Sequence, residues 1–402
     1  MRPSLGTSPA ATTVPPTPGL VSFVLPCLNE AGTVRMCIEQ ARSAAVRGGF
    51  PCEVIVADNG STDDSDRIAA SAAARVVRVE GRGYGRALLA GFKASRGEII
   101  VMGDADGSYD FADAVHLVAL VRKGADLAVG DRLGGQIENG AMPWKHRHIG
   151  TPVLSGLGRL FFGHRVRDVN CGLRAFSRDA FDRMGLRSDG MELASEMIAK
   201  AAVRGLTIRE AAISYRRDQR ERTPHLRPWR DGWRHTRLML LLCPVWTLAL
   251  PGAVPFALGS AVLMLLLPGP LRAGGITLDV HTMVVASLAV TTGYQTLLLA
   301  VAMRAYVLTA ELGPAPQSVA FAARGITLER GLIFGFALLV AGLGMIAWIT
   351  VRWAGTGFGE LNVPRTLRPT IAGATVAAMG VQTMLTAFIC GMLRPSVPST
   401  DA

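Results

Sequence analysis

Four long apolar spans, near residues 240–268, 280–303, 331–350 and 370–393, limit what this chain can fold into more than any other feature. Each is long enough to cross a hydrocarbon core, which an α-helix covers in about 20 residues. Four transmembrane helices are therefore expected over 238–394, the first interrupted by Pro244, Pro251 and Pro255. The chain ahead of them differs in kind. Of the 42 Lys and Arg and 31 Asp and Glu, 34 and 26 precede Leu238, so this part carries +8 of the +11 net charge. A basic soluble domain followed by an apolar membrane domain is implied. Residues 1–19, rich in Pro, Thr and Ser without an apolar core segment, read as a disordered leader rather than a signal peptide, and 395–402 as a tail. The six cysteines form no CxxC pair, which argues against zinc and disulfides and for a reducing compartment.

Over 20–215 short apolar runs alternate with helix-like stretches: LVSFVLP, CEVIVAD, RVVRV, EIIVMGDAD and DLAVGDR are each followed or preceded by a segment with helical character. Such alternation predicts an α/β domain with a mostly parallel, Rossmann-like sheet, whose ligands gather at the carboxyl ends of the strands. Residues 216–237 then carry eight Arg against three acids, with Trp229 and Trp233. This composition predicts a basic amphipathic junction attracted to an anionic cytoplasmic surface. The basic soluble domain would then lie on the cytoplasmic side of the cell (inner) membrane.

The strand ends carry the chemistry. Pro26, Asn29 and Glu30 follow the first strand, and Asp58 follows the second. An acid at that place can accept hydrogen bonds from a ribose or base, although Asp58 alone could equally be a cap or turn residue. Asp104 and Asp106, one residue apart at a bend, can present oxygens to one hard divalent cation that bridges to substrate phosphates. Their alternative is an acidic Asp-x-Asp-Gly turn. Gly83 and Gly85 could let backbone amides approach a diphosphate, or simply form a strand-to-helix turn. Glu192 and Glu196 share a helix face, where Glu196 could pair with Lys200 on a solvated surface. Tyr109 and Trp144 read as packing residues, and the histidines show no ligand spacing.

The ordered motifs apolar-Pro-x-x-Asn-Glu, Asp-Asn-Gly-Ser-Thr-Asp and Gly-Asp-Ala-Asp-Gly, continued by DVNCGLRAF at 168–176, resemble those of family 2 glycosyltransferases with a GT-A fold. The arrangement of the whole chain is similar to the polyprenyl-phosphate glycosyltransferases, the group of the dolichyl-phosphate mannose and glucose synthases. This resemblance implies metal-dependent inverting transfer of a hexose from a UDP- or GDP-sugar to a polyprenyl phosphate, with Mg²⁺ or Mn²⁺ as cofactor. Its implied partners are the nucleotide sugar, the lipid and the membrane, with no nucleic acid, and helices that could assemble a homo-oligomer. Position by position, it implies nucleotide binding by Pro26, Asn29, Glu30 and Asp58, and metal binding by Asp104 and Asp106 with Ser108 in the place of a third ligand. It also implies an Arg174 near the phosphates, a Glu192 that orients the sugar, and acceptor-phosphate contacts from Arg220, Arg222, His225 and Arg227. Asn59 stands where the second motif often has a further Asp, and Leu173 where an aromatic is usual. Two rivals are a lipid-sugar transporter or scaffold with a nucleotide-binding domain, and a processive polysaccharide synthase. The Gln-x-x-Arg-Trp motif of the latter is missing from the sequence.

Overall fold

The computed structural model describes residues 16–219, 228–309, 327–360 and 363–393, which form two compact units divided between Met239 and Leu240. In the first unit seven strands make one sheet in the order β3-β2-β1-β4-β6-β5-β7. These are β1 (Thr17–Cys27), β2 (Cys52–Asp58), β3 (Arg75–Arg78), β4 (Gly97–Met102), β5 (Leu127–Asp131), β6 (Arg174–Ser177) and β7 (Ile208–Ala212). All pairings are parallel except those of β6, which runs against both β4 and β5. The connecting helices are α1 (Val34–Gly48), α2 (Ser65–Ser71), α3 (Tyr84–Ala94), α4 (Ala114–Arg122), α5 (Thr151–Phe162), α6 (Arg178–Met184) and α7 (Leu193–Val203). The expected α/β architecture is present.

Strands buried on both faces need apolar residues at every position, which is why FVL and IIVM read as unbroken runs. Phe23 and Val24, neighbours on β1, point to opposite faces. Phe23 meets the rings of Phe50 and Phe111, with centroids 6.5 and 6.1 Å apart, while Val24 packs against α3, so closely that a Cβ on Gly91 would lie 2.4 Å from its Cγ1. Strand β1 begins three residues inside the expected leader, because Thr17 N donates to Arg96 O and Gly19 N to Glu98 Oε2, zipping the segment onto the start of β4. Strand order reverses between β1 and β4, so the crevice at their carboxyl ends is the place where this topology leaves room for a ligand. Because β6 is reversed, the excursion from Arg132 to Leu173 leaves and rejoins the sheet at that same carboxyl edge.

The basic junction ends in a helix, α8 (Pro228–Leu242). Residues 220–227 lie outside the described residues, and with them the expected contacts Arg220, Arg222, His225 and Arg227.

Among its described residues the second unit contains four helices long and apolar enough to cross a membrane: Val245–Leu266, Val280–Val307, Leu328–Ala354 and Arg365–Leu393. The last three exceed the apolar spans because charged residues such as Arg304, Arg330 and Arg352 are carried in their end turns. In lipid, helices associate through small residues that let backbones approach. Gly342 does this opposite Gly373 and Ala377, and Gly335 opposite Gly380: a Cβ on Gly342 would lie 2.4 Å from Ala377 N. Hydroxyl pairs, Ser287 with Thr375 (2.6 Å) and Tyr294 with Thr383 (2.8 Å), tie the second helix to the fourth.

Candidate active site

A cavity of about 560 Å³ opens at the carboxyl ends of β1 and β4. Pro26, Cys27 and Glu30 line it from β1 and the turn beyond, Asp104 and Asp106 from the bend after β4, Arg82, Gly83, Tyr84 and Arg86 from the start of α3, and Glu192 from the start of α7. A wall not anticipated from sequence comes from α8, through Arg230, Asp231 and Arg234. The structure thus brings together Pro26, Glu30, Gly83, Asp104, Asp106 and Glu192 of the residues expected at the site.

The bend holding the two aspartates is built locally. Gly107, at φ +78°, takes the left-handed conformation that closes the Asp-x-Asp-Gly turn, and Ser108 N donates to Asp106 Oδ1 at 2.9 Å. The Tyr84 hydroxyl donates to Asp104 Oδ1 at 2.8 Å. Burial and the adjacent carboxylate hold that phenol well above its ordinary pKa, so it stays protonated and remains a donor. The Cys27 thiol is pushed up to about 12 by burial, which removes it as a nucleophile at neutral pH. Glu192 contributes a buried Oε2 with no hydrogen-bond partner. An unmet buried acceptor is costly in a native protein and is expected where a ligand completes it.

The hard-oxygen donor set of Asp104 and Asp106 suits Mg²⁺ or Mn²⁺. Among the described residues no third His, Cys, Asp or Glu joins them in ligand geometry. Ser108, expected as a third ligand, does not line the cavity: it is 2% exposed and its side chain bonds to Tyr215.

Arg174 is the largest correction. It is fully buried, and its guanidinium donates to the carbonyls of Cys171 (2.9 Å), Ala194 (2.6 Å) and Val169 (2.7 Å), leaving the cavity to other cations. Its work is to lock the DVNCGL loop and the first turn of α7 beneath the site. The same loop is fixed by Asp168, which is fully buried and takes a bidentate pair from Arg132 at 2.6 and 2.8 Å, and by Gly172 N donating to the Tyr109 hydroxyl. Gly172 lies against Asp104, where a Cβ would come within 2.8 Å of Oδ2.

Five other expectations change. Asn29, at φ +58°, donates its N–H to Ser61 Oγ and accepts from Thr62 N, so it joins the β1 turn to the β2 turn instead of facing the cavity. Asp58 accepts from Ser61 N at 3.2 Å within its own turn, the reading left open for it, and Asn59 lines the cavity in its place. Asn59 also grips the α3 entry, donating to Gly81 O and accepting from Gly83 N, both at 2.7 Å. The close approach at Gly83 and Gly85 is to protein rather than diphosphate. A Cβ would lie 2.4 Å from Asp189 O at the first and 2.2 Å from Ser188 O at the second. Glu196 does pair with Lys200, at 2.6 Å, but the pair is buried because Glu196 also accepts from Arg187 N and Ser188 N. Trp144 is 66% exposed and is not a packing residue.

Helix α8 is attached to the domain by His235, 6% exposed, whose Nδ1 lies 2.7 Å from Ser195 Oγ on α7. Burial, with Arg174 nearby, lowers its pKa to about 4 against the opposing pull of Asp231, so the ring is neutral at pH 7. Asp231 and Arg234, one turn and one residue before it, face the cavity. Sequence inspection treated this stretch only as a membrane-surface junction. The usable signal was the spacing of Arg230, Asp231, Arg234 and His235, which share one helical face.

Comparison with known proteins agrees with this architecture. Residues 22–185 match the profile of glycosyl transferase family 2, and residues 301–394 that of the glycosyltransferase family 2 C-terminal transmembrane region. The chain is 37% identical over 374 residues to the low-salt glycan biosynthesis hexosyltransferase Agl6 of Haloferax volcanii, spanning 93% of this chain and 89% of that protein. It is 31% identical over 164 residues to a dolichyl-phosphate hexose transferase of the same organism, spanning 41% of this chain and 70% of the relative. Among solved structures, glucosyl-3-phosphoglycerate synthase of Mycobacterium tuberculosis with Mn²⁺, uridine diphosphate and glucosyl-3-phosphoglycerate aligns with a TM-score of 0.43. That alignment has 25% identity and covers 56% of this chain and 78% of the other. A relative of this identity along nearly the full length makes the chain a member of the family 2 glycosyltransferases: a membrane protein with a GT-A transferase domain followed by a transmembrane region.

Proposed function

We propose that this glycosyltransferase transfers a hexose from a UDP- or GDP-sugar to a polyprenyl phosphate at the cytoplasmic face of the cell membrane, with inversion. The observation that carries the reading is the pairing of Asp104 and Asp106 with an arginine-bearing α8 wall across one cavity, in a chain that also holds four apolar helices. The similarity to a dolichyl-phosphate hexose transferase supports a lipid phosphate as acceptor.

In this reaction an acceptor phosphate oxygen attacks the anomeric carbon, and the bond from that carbon to the diphosphate breaks, its electron pair leaving with the nucleoside diphosphate. The acceptor is already an anion near neutral pH, so no general base is required and catalysis reduces to positioning and charge stabilisation. Asp104 and Asp106 would hold Mg²⁺ or Mn²⁺, whose chemistry here is to neutralise charge on the diphosphate. Glu192 would accept a sugar hydroxyl at its unmet Oε2 and so orient the ring. Arg230 and Arg234, with Arg220, Arg222, His225 and Arg227 preceding them in sequence, are the cations proposed to meet the incoming phosphate, since planar guanidinium forks match phosphate oxygens. Pro26, Glu30 and Asn59 would line the nucleotide.

The test is to incubate the purified protein with polyprenyl phosphate, Mg²⁺ or Mn²⁺ and a panel of UDP- and GDP-hexoses, and to detect lipid-linked sugar by mass spectrometry. A product with one donor, lost on chelation, is the expected result. Absence of product with every donor, while nucleotide still binds, would reject the acceptor or donor class.

A further inference from the structure

Among the described residues of the first unit, the exposed large apolar side chains are Val46, Trp144, Ile149, Val153, Leu160 and Trp233. Four of the six lie on one helical stretch, in which a π-helical turn over His146–Gly150 runs into α5. The inward side of this stretch is apolar through Leu154, Leu157, Phe161 and Phe162, which pack against the core, yet its outward side is apolar as well. Its buried positions, Thr151, Ser155 and Gly158, are spaced i, i+4, i+7 and are small; Ser155 Oγ accepts from Val169 N there. The outward positions Ile149, Val153 and Leu160, spaced i, i+4, i+11, are 52, 53 and 51% exposed. A helix that only covers a core needs one apolar face, and a second, exposed apolar face on a domain surface marks a contact.

The charge of the same stretch identifies the occupant. From Trp144 to Arg167 there are five formal cations, Lys145, Arg147, Arg159, Arg165 and Arg167, and no Asp or Glu. A symmetric contact with a second copy would set these cations against one another. An anionic lipid surface offers apolar depth and complementary charge together, and the chain is already held at such a surface by its own transmembrane region. Trp144, exposed at the start of the stretch, suits the headgroup level. We infer that the outward face of α5, with Trp144, lies in the headgroup layer of an anionic membrane as a second attachment of the catalytic domain, separate from α8.

Nitroxide labels at Val153→Cys and Leu160→Cys, with Val46→Cys as an exposed reference, test this in the full chain. Cys52 is replaced by Ser because it is the one free thiol that is not buried. The protein is placed in nanodiscs containing phosphatidylglycerol, and collision with oxygen is compared with collision with a water-soluble nickel chelate. The expected result is preferential oxygen access at 153 and 160 and preferential nickel access at 46. A second measurement in phosphatidylcholine nanodiscs should show the oxygen preference at 153 reduced. Nickel access at 153 equal to that at 46 would place the face in water and overturn the inference. Low access to both reagents would mean cover by protein and overturn it equally.

Discussion

At the residue scale the site depends on few, well-separated contributions. Asp104→Asn and Asp106→Asn should each lower transfer at least about 100-fold, the cost of removing one preorganised charge-stabilising group. The variants should still insert into membranes; unaltered turnover in both would remove the metal assignment. Tyr84→Phe deletes only the hydroxyl that orients Asp104. Outer-shell losses of this kind cost about 10–100-fold in metal affinity, so titration with Mn²⁺ followed by electron paramagnetic resonance should show a weaker site in a folded protein. His235 gives a pH signature. Its folded pKa, near 4, lies below the ordinary 6.5, so the unfolded chain binds more protons between those values and stability falls as the pH drops through that window. The slope is on the order of 1.4 kcal/mol per pH unit for the one group. His235→Asn, which can keep a hydrogen bond to Ser195, should flatten the pH dependence of thermal stability between pH 6.5 and 4 while retaining the attachment of α8.

At the element scale, legibility in the sequence followed the kind of signal. Strand-helix alternation and apolar span length are local periodicities, so the sheet, its crossover helices and the four membrane helices could be read directly. The Asp-x-Asp-Gly bend was legible for the same reason, because turn chemistry and ligand chemistry coincide within four residues. Arg174 was not. Its motif says that an arginine stands beside the carboxyl edge, which is true, since Arg174 pairs with Met102 in the sheet. Whether its guanidinium faces outward or into carbonyls 3, 5 and 20 residues away in sequence is decided by loops that no local pattern describes. Asn29 and Gly85 were misread similarly, because each is matched to a backbone segment distant in sequence. The membrane helices make a prediction at this scale. Gly342 meets Ala377 and Gly373 through backbone atoms, which cannot yield as a flexible side chain would. Gly342→Leu should therefore separate that helix pair and destabilise the unit by about 1–3 kcal/mol, the usual cost of overpacking. A lower thermal midpoint in detergent and loss of the monodisperse chromatographic peak would report it; Gly344→Leu, with no atom near its added Cβ, is the control.

At the scale of the whole molecule, the chain forms two separately compact units, so heating should give two transitions rather than one. All residues lining the cavity precede Met239. A nucleoside diphosphate with Mn²⁺ should then raise only the transition of the first unit, by about 2.7 kcal/mol at a ligand concentration 100 times the Kd. Chelation, or Asp106→Asn, should remove the shift. A ligand that moves both transitions together would show that the units unfold as one.

The reversed strand β6 has a consequence for how such enzymes could diversify. Because the chain departs after Asp131 and returns at Arg174 on one edge, the residues from Leu133 to Arg167, between Arg132 and the DVNCGL loop that packs against Asp104, form a cassette with both anchors beside the chemistry and neither inside it. Exchanging that cassette would change the surface on which the catalyst sits while leaving the aspartates and their supporting strands in place. Surface address and reaction could thus be inherited separately, and the same graft offers an engineer a way to move a transferase from one lipid environment to another.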